Sequence, residues 1–129
     1  MGVDMEKKKV MLVDDEEDFL KLTKLNLEAT GRFEVLALTS GVDIIVRLYD
    51  FKPDIIVLDI LMPKVDGIEI CHILNNDPLG QRTPLIVLSA LFKEVDKLKA
   101  YKLGILDYVV KPVDAATLIS KIDKALGLY

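Results

Sequence analysis

The chain has 129 residues, of which 51% are apolar and 29% charged, with a formal net charge of −4. That length fits one domain with a substantial core, and the balance of apolar and charged residues excludes an intrinsically disordered chain. No basic run stands out to neutralise phosphates, so direct nucleic-acid binding is not expected. The single cysteine, Cys71, excludes an internal disulfide and a Cys-based zinc cluster.

Residues 1–8 read as a leader, with a second start at Met5 inside it, ahead of a single domain over residues 9–129. The leader's charges stand where a signal peptide would have its apolar segment. No apolar stretch approaches the roughly 20 residues that span a bilayer. A cytoplasmic location away from the membrane is expected.

Val10-Met11-Leu12-Val13 predicts a first strand, ended by acids. From about Glu16 to Ala29, Phe19, Leu20, Leu22, Leu25 and Leu27 recur at helical spacing. Their broad apolar arc predicts a helix packed on both a sheet and a neighbouring helix. Gly31 closes it. Phe33–Leu38 reads as a strand, and Ser40 or Gly41 opens a helix through about Tyr49 that Pro53 stops. Ile55–Leu58 is a strand of the kind buried on both faces, and Ile68–Asn75 is helical.

Leu85–Leu88 is a further buried-type strand, set off by Pro84. A lysine-bearing helix is predicted over 94–102, ending at Gly104. Tyr108–Val110 is a fifth strand, and Asp114 caps a last helix carrying Leu118, Ile119, Ile122, Ala125 and Leu126. Strands alternating with helices predict an α/β domain with a parallel sheet covered on both faces. Right-handed connections then put every strand's C-terminal end on one rim, where ligands bind in such folds.

The residues just beyond the strands carry the chemistry. Asp14 and Asp15 follow the first strand, Asp59 the third, Ser89 the fourth and Lys111 the fifth. Each has an ordinary reading alone: Asp15 as a helix cap, Asp59 as a turn residue, Lys111-Pro112 as the end of a strand. Their convergence on one rim does not. Three mutually repelling carboxylates call for a cation, and an all-oxygen set suits Mg²⁺. Lys111 adds a second positive charge, and Ser89 a donor for an anionic oxygen. His72 reads as a solvated residue on a short helix, and Cys71 as a small packing residue.

In order and spacing, "VMLVDDE", "IIVLDILMPKVDG", "TPLIVLSA" and "DYVVKP" resemble the receiver domain of two-component response regulators. The resemblance runs from about Lys9 to Leu126. It implies a chemotaxis-regulator-like, flavodoxin-like fold: a doubly wound five-stranded parallel sheet, order 2-1-3-4-5, with five helices. It also implies that Asp59 is the phosphoacceptor. Asp15 would ligate Mg²⁺ directly, Asp14 mainly through water, and Leu61 by its backbone carbonyl. Ser89, the Ala90 backbone amide and Lys111 would bind the phosphoryl group. Ser89 and Tyr108 would form the switch, and the Lys111–Pro112 peptide would be cis.

The same resemblance implies a sensor histidine kinase or phosphotransfer domain as donor. It implies a downstream effector or output domain, and a homodimer formed on phosphorylation. Partners would read the surface made by the fourth predicted helix, the fifth strand and the last helix. The protein would be a signalling phosphoacceptor in phosphorelay signal transduction, not an enzyme in the usual sense. Leu61 and Leu91, flanking the path of attacking water, would favour a long-lived phosphorylated state. A Mg²⁺-dependent haloacid-dehalogenase-like phosphohydrolase shares the ingredients, but places its nucleophile after the first strand in an Asp-x-Asp pattern. A receiver-like binding module that takes no phosphate is the third reading.

Overall fold

Short runs of β-branched and other apolar residues, with no polar position to face water, form strands covered on both sides. In the computed structural model, which describes residues 6–60, 67–89 and 104–127, five strands lie side by side, and two of them, IIVLD and LIVLS, are buried at every position. They are β1 (Lys8–Val13), β2 (Phe33–Leu38), β3 (Ile55–Asp59), β4 (Leu85–Ser89) and β5 (Asp107–Val110). All neighbours run parallel, in the order β2-β1-β3-β4-β5. The register sets Val13 beside Leu38 and Leu58, Asp59 beside Leu88, and Ser89 beside Val110.

The helices among the described residues are α1 (Glu17–Ala29), α2 (Ile44–Phe51), α3 (Gly67–Asn75), α4 (Pro78–Arg82) and α5 (Ala115–Leu126). Alternation along the strands divides the core into two layers. Met11, Val13, Ile56, Leu58 and Val87 face Leu48 of α2 and Ile70 and Leu74 of α3. Val10, Leu12, Ile55, Val57 and Leu88 turn the other way, onto Leu20 and Leu27 of α1 and Leu118 and Ile122 of α5. This is a doubly wound, flavodoxin-like α/β sandwich. No helix among the described residues is long and apolar enough to cross a membrane.

Three details differ from the sequence reading. The broad apolar arc of α1 is not buried: Leu22 is 60% and Leu25 66% exposed. Only Leu20, Thr23 and Leu27 are buried along the helix, because one narrow face reaches the sheet. Second, α4 was not foreseen. The Asp77 carboxylate caps it, accepting from the N–H groups of Leu79 (3.0 Å) and Gly80 (2.9 Å), with Pro78 inside its first turn. Third, α2 begins at Ile44 and runs to Phe51, closed by Lys52 in the left-handed region (φ 51°). The helix expected over 94–102 lies outside the described residues.

Gly67 seats α3 against the end of β3. A Cβ there would stand 2.3 Å from the Ile60 Cα, one residue beyond Asp59. Backbone cannot give way as a flexible side chain can, so this approach requires glycine.

Candidate functional site

The sheet ladder itself aims the polar residues. Asp14 continues β1, its N–H donating to the Leu38 carbonyl at 3.0 Å. Asp59 is the last residue of β3, and the next N–H, of Ile60, donates to the Leu88 carbonyl at 3.1 Å. Ser89 ends β4, and its carbonyl accepts from the Lys111 N–H at 2.8 Å. Parallel strands in this register put all of these residues on one rim.

There the carboxylates of Asp14, Asp15 and Asp59 meet, with one oxygen from each within 4.8 Å of the others. Asp14 and Asp59 are buried, and Asp15 is exposed. Lys111 answers this charge. Its ammonium lies 2.5 Å from Asp14 Oδ2, 3.2 Å from Glu16 Oε1 and 3.3 Å from Asp59 Oδ2. It also sits 4.5 Å from the centre of the Phe19 ring, at cation–π distance. The second Asp14 oxygen accepts from the Glu16 N–H at 2.9 Å. No buried side-chain polar atom among the described residues lacks a hydrogen-bond partner.

The electrostatics follow from burial and crowding. Burial pushes the Asp14 carboxyl above its ordinary range and Asp59's charge adds to this, against the lowering effects of Lys111 and the Glu16 N–H. For Lys111, burial pulls the ammonium down, but the hydrogen bond and charge of Asp14, then Asp59 and Glu16, outweigh it and hold it above the ordinary value. Lys111 therefore stays charged. The donor set around it is all oxygen, with buried and exposed members, and fits a hard dication that keeps some of its water.

Ser89 is fully buried. Tyr108 is half-buried and pairs with Val87, two residues before Ser89. Alternation places Tyr108, Val87 and Ser89 on one face of the sheet. The Lys111–Pro112 peptide bond is cis. Leu61, Ala90, Leu91 and the lysines of 94–102 lie outside the described residues. His72 is exposed, and Cys71 is a buried free thiol in the core.

Two members of this arrangement escaped the sequence reading, Glu16 and Phe19. The acidic run "DDEED" was the available signal for Glu16, but first-turn acids are also ordinary helix-start residues.

Residues 10–123 match the response regulator receiver domain. The chain is 40% identical over 105 residues to the alkaline phosphatase synthesis transcriptional regulatory protein PhoP of Bacillus subtilis, covering 81% of this chain and 42% of PhoP. It is 37% identical over 118 residues to the phosphate regulon transcriptional regulatory protein PhoB of Rhizobium meliloti, covering 92% of this chain and 52% of PhoB. The chain thus spans about half the length of these relatives. Its fold is similar to that of Vibrio cholerae chemotaxis protein CheY4, with a TM-score of 0.88 at 23% identity over 94% of this chain and 100% of CheY4. An acidic pocket at the carboxyl rim, the 2-1-3-4-5 sheet and the match over residues 10–123 lead to one conclusion: the chain belongs to the response regulator receiver domain family, whose members are typically signalling phosphoacceptors.

Proposed function

We propose that this domain accepts a phosphoryl group on Asp59 from a phosphohistidine of a sensor kinase or phosphotransfer domain. The observation that carries the reading is the convergence of Asp14, Asp15 and Asp59 around a rim lysine that contacts Asp14 and Asp59. An Asp59 oxygen, held by a rigid buried strand, attacks phosphorus in line as the P–N bond to the kinase histidine breaks. Lys111 offsets charge on the transferred oxygens. Asp14, Asp15 and Asp59, with the Leu61 carbonyl, would hold Mg²⁺, which when bound supplies charge neutralisation to the phosphoryl oxygens and the carboxylates.

The acyl phosphate adds charge and acceptor oxygens at the rim. Ser89 and the Ala90 amide would then bind the phosphoryl group. Because Tyr108 shares a sheet face with Ser89, a shift of the serine can be relayed to it, changing the surface beside β5 and α5. The relatives named as transcriptional regulators support an output in gene regulation, delivered through an effector or output domain or a homodimer. The domain would work in the cytoplasm.

The test is incubation with acetyl phosphate in the presence of Mg²⁺ or of EDTA. A label that requires Mg²⁺ and is released by hydroxylamine, which cleaves acyl phosphates, is the expected result. Continuous release of phosphate from a simple ester would favour the phosphohydrolase reading, and a hydroxylamine-stable label would put the phosphoryl group on something other than a carboxylate. No label at all would favour the binding module.

A further inference from the structure

An ammonium group has three donors, and at Lys111 three carboxylates take them. Two of these, Asp14 and Asp59, are buried members of the acidic cluster. The third, Glu16, has a side chain that is 65% exposed. Glu16 occupies the N-cap position of α1 with extended backbone (φ −84°, ψ 102°), yet its side chain makes no capping hydrogen bond. Short polar side chains are favoured at such positions because they reach the free N–H groups of the first turn. Glu16 instead turns its carboxylate to Lys111, whose ammonium also rests over Phe19 on the α1 side.

We propose that Glu16 is a positioning residue: it draws the Lys111 ammonium toward Asp14 and α1, and so limits its hold on Asp59 in the unphosphorylated protein. The distances agree, since Lys111 is 2.5 Å from Asp14 but 3.3 Å from Asp59. A lysine resting fully against Asp59 would compete with a metal for the same carboxylate. A lysine shared with Glu16 leaves Asp59 more of its charge. The Glu16 contact is also the exposed and water-screened one, hence the weakest. It is the bond that Lys111 can exchange for a phosphoryl oxygen once one is present. Only this last consequence rests on Asp59 being the phosphoacceptor.

The test uses the unphosphorylated full chain and compares Mg²⁺ affinity by NMR titration in wild type, Glu16→Gln, Lys111→Met and the double variant. Glu16→Gln should weaken Mg²⁺ binding by about threefold, the scale of one exposed charge pair. In the Lys111→Met background the same substitution should change it little. Equal weakening in both backgrounds would mean that Glu16 acts on the metal directly, and would overturn the proposal, as would no weakening in either. The ¹⁵Nζ signal of Lys111 in metal-free Glu16→Gln gives a second reading that needs no lysine variant. It should move from its wild-type position, and an unchanged signal would also overturn the proposal. Failure of acetyl phosphate to label the wild type would remove the phosphoacceptor reading and leave this coupling intact.

Discussion

Helices α1 and α5 both leave the carboxyl rim of the sheet, one after β1 and the other after β5, and they begin in opposite ways. At α5 the Asp114 carboxylate accepts from the Thr117 N–H at 2.7 Å, the ordinary device for a helix start. That hydrogen bond holds the Asp114 carboxyl below its usual value. At α1 the N-cap side chain does not cap, and the acids before the helix crowd instead around Lys111 and Asp59. Burial pushes the Asp14 carboxyl up rather than down. The same residue chemistry thus stabilises one helix and supplies charge at the start of the other. At α1, local stability is given up where the rim gathers a dense acidic cluster.

If the difference is confined to the helix starts, it should vanish in the packing. Leu27 on α1 and Leu118 on α5 are both buried against the same side of the sheet. Leu27→Ala and Leu118→Ala should each lower stability by about 2–5 kcal/mol, measured by urea denaturation. A loss confined to one of them would show that the helices differ in docking and not only in capping.

The caps should then respond with opposite sign. Asp114→Ala removes a working cap and should lower the melting temperature. Glu16→Ser offers α1 a side chain that can reach its first turn, and should raise stability by up to about 1 kcal/mol. A fall in both variants would mean that the Glu16–Lys111 contact matters more to the fold than a cap would.

The smallest effect is in the acid limb of the stability curve. The folded Asp114 carboxyl titrates below its ordinary value of 3.8, so its contribution is present above that pH and is lost as the pH falls through the folded value. Asp114→Asn, which can still accept the Thr117 hydrogen bond, should flatten this part of the curve below about pH 4. An unchanged acid limb would remove Asp114 from the comparison.

Much of this was legible in the chain because hydrophobic period and turn residues report local structure directly. Phe33–Leu38, the Asp114 cap and the left-handed Gly31 after α1 appear as the residues suggest. The strand order did not come from periodicity, which says nothing about which strands pair; it came from the resemblance carried by the residues at the strand ends. Helix α4 was missed because five residues are too few to show a period, although Asp77-Pro78 is a capping signal. The exposure of Leu22 and Leu25 was missed because composition alone cannot tell a buried apolar face from an exposed one. Glu16 was missed because its role depends on Lys111, 95 residues away. The meeting of Asp14, Asp15 and Asp59 was foreseen because a parallel sheet gathers its strand ends on one rim.

The central claim is that Asp59 carries the phosphoryl group, and the intact mass of the protein tests it most directly. After incubation with Mg²⁺ and acetyl phosphate, the wild type should gain one phosphoryl group, about 80 Da. Asp59→Asn, treated in the same way, should gain nothing. A gain that persists in Asp59→Asn would place the phosphoryl group elsewhere and contradict the account.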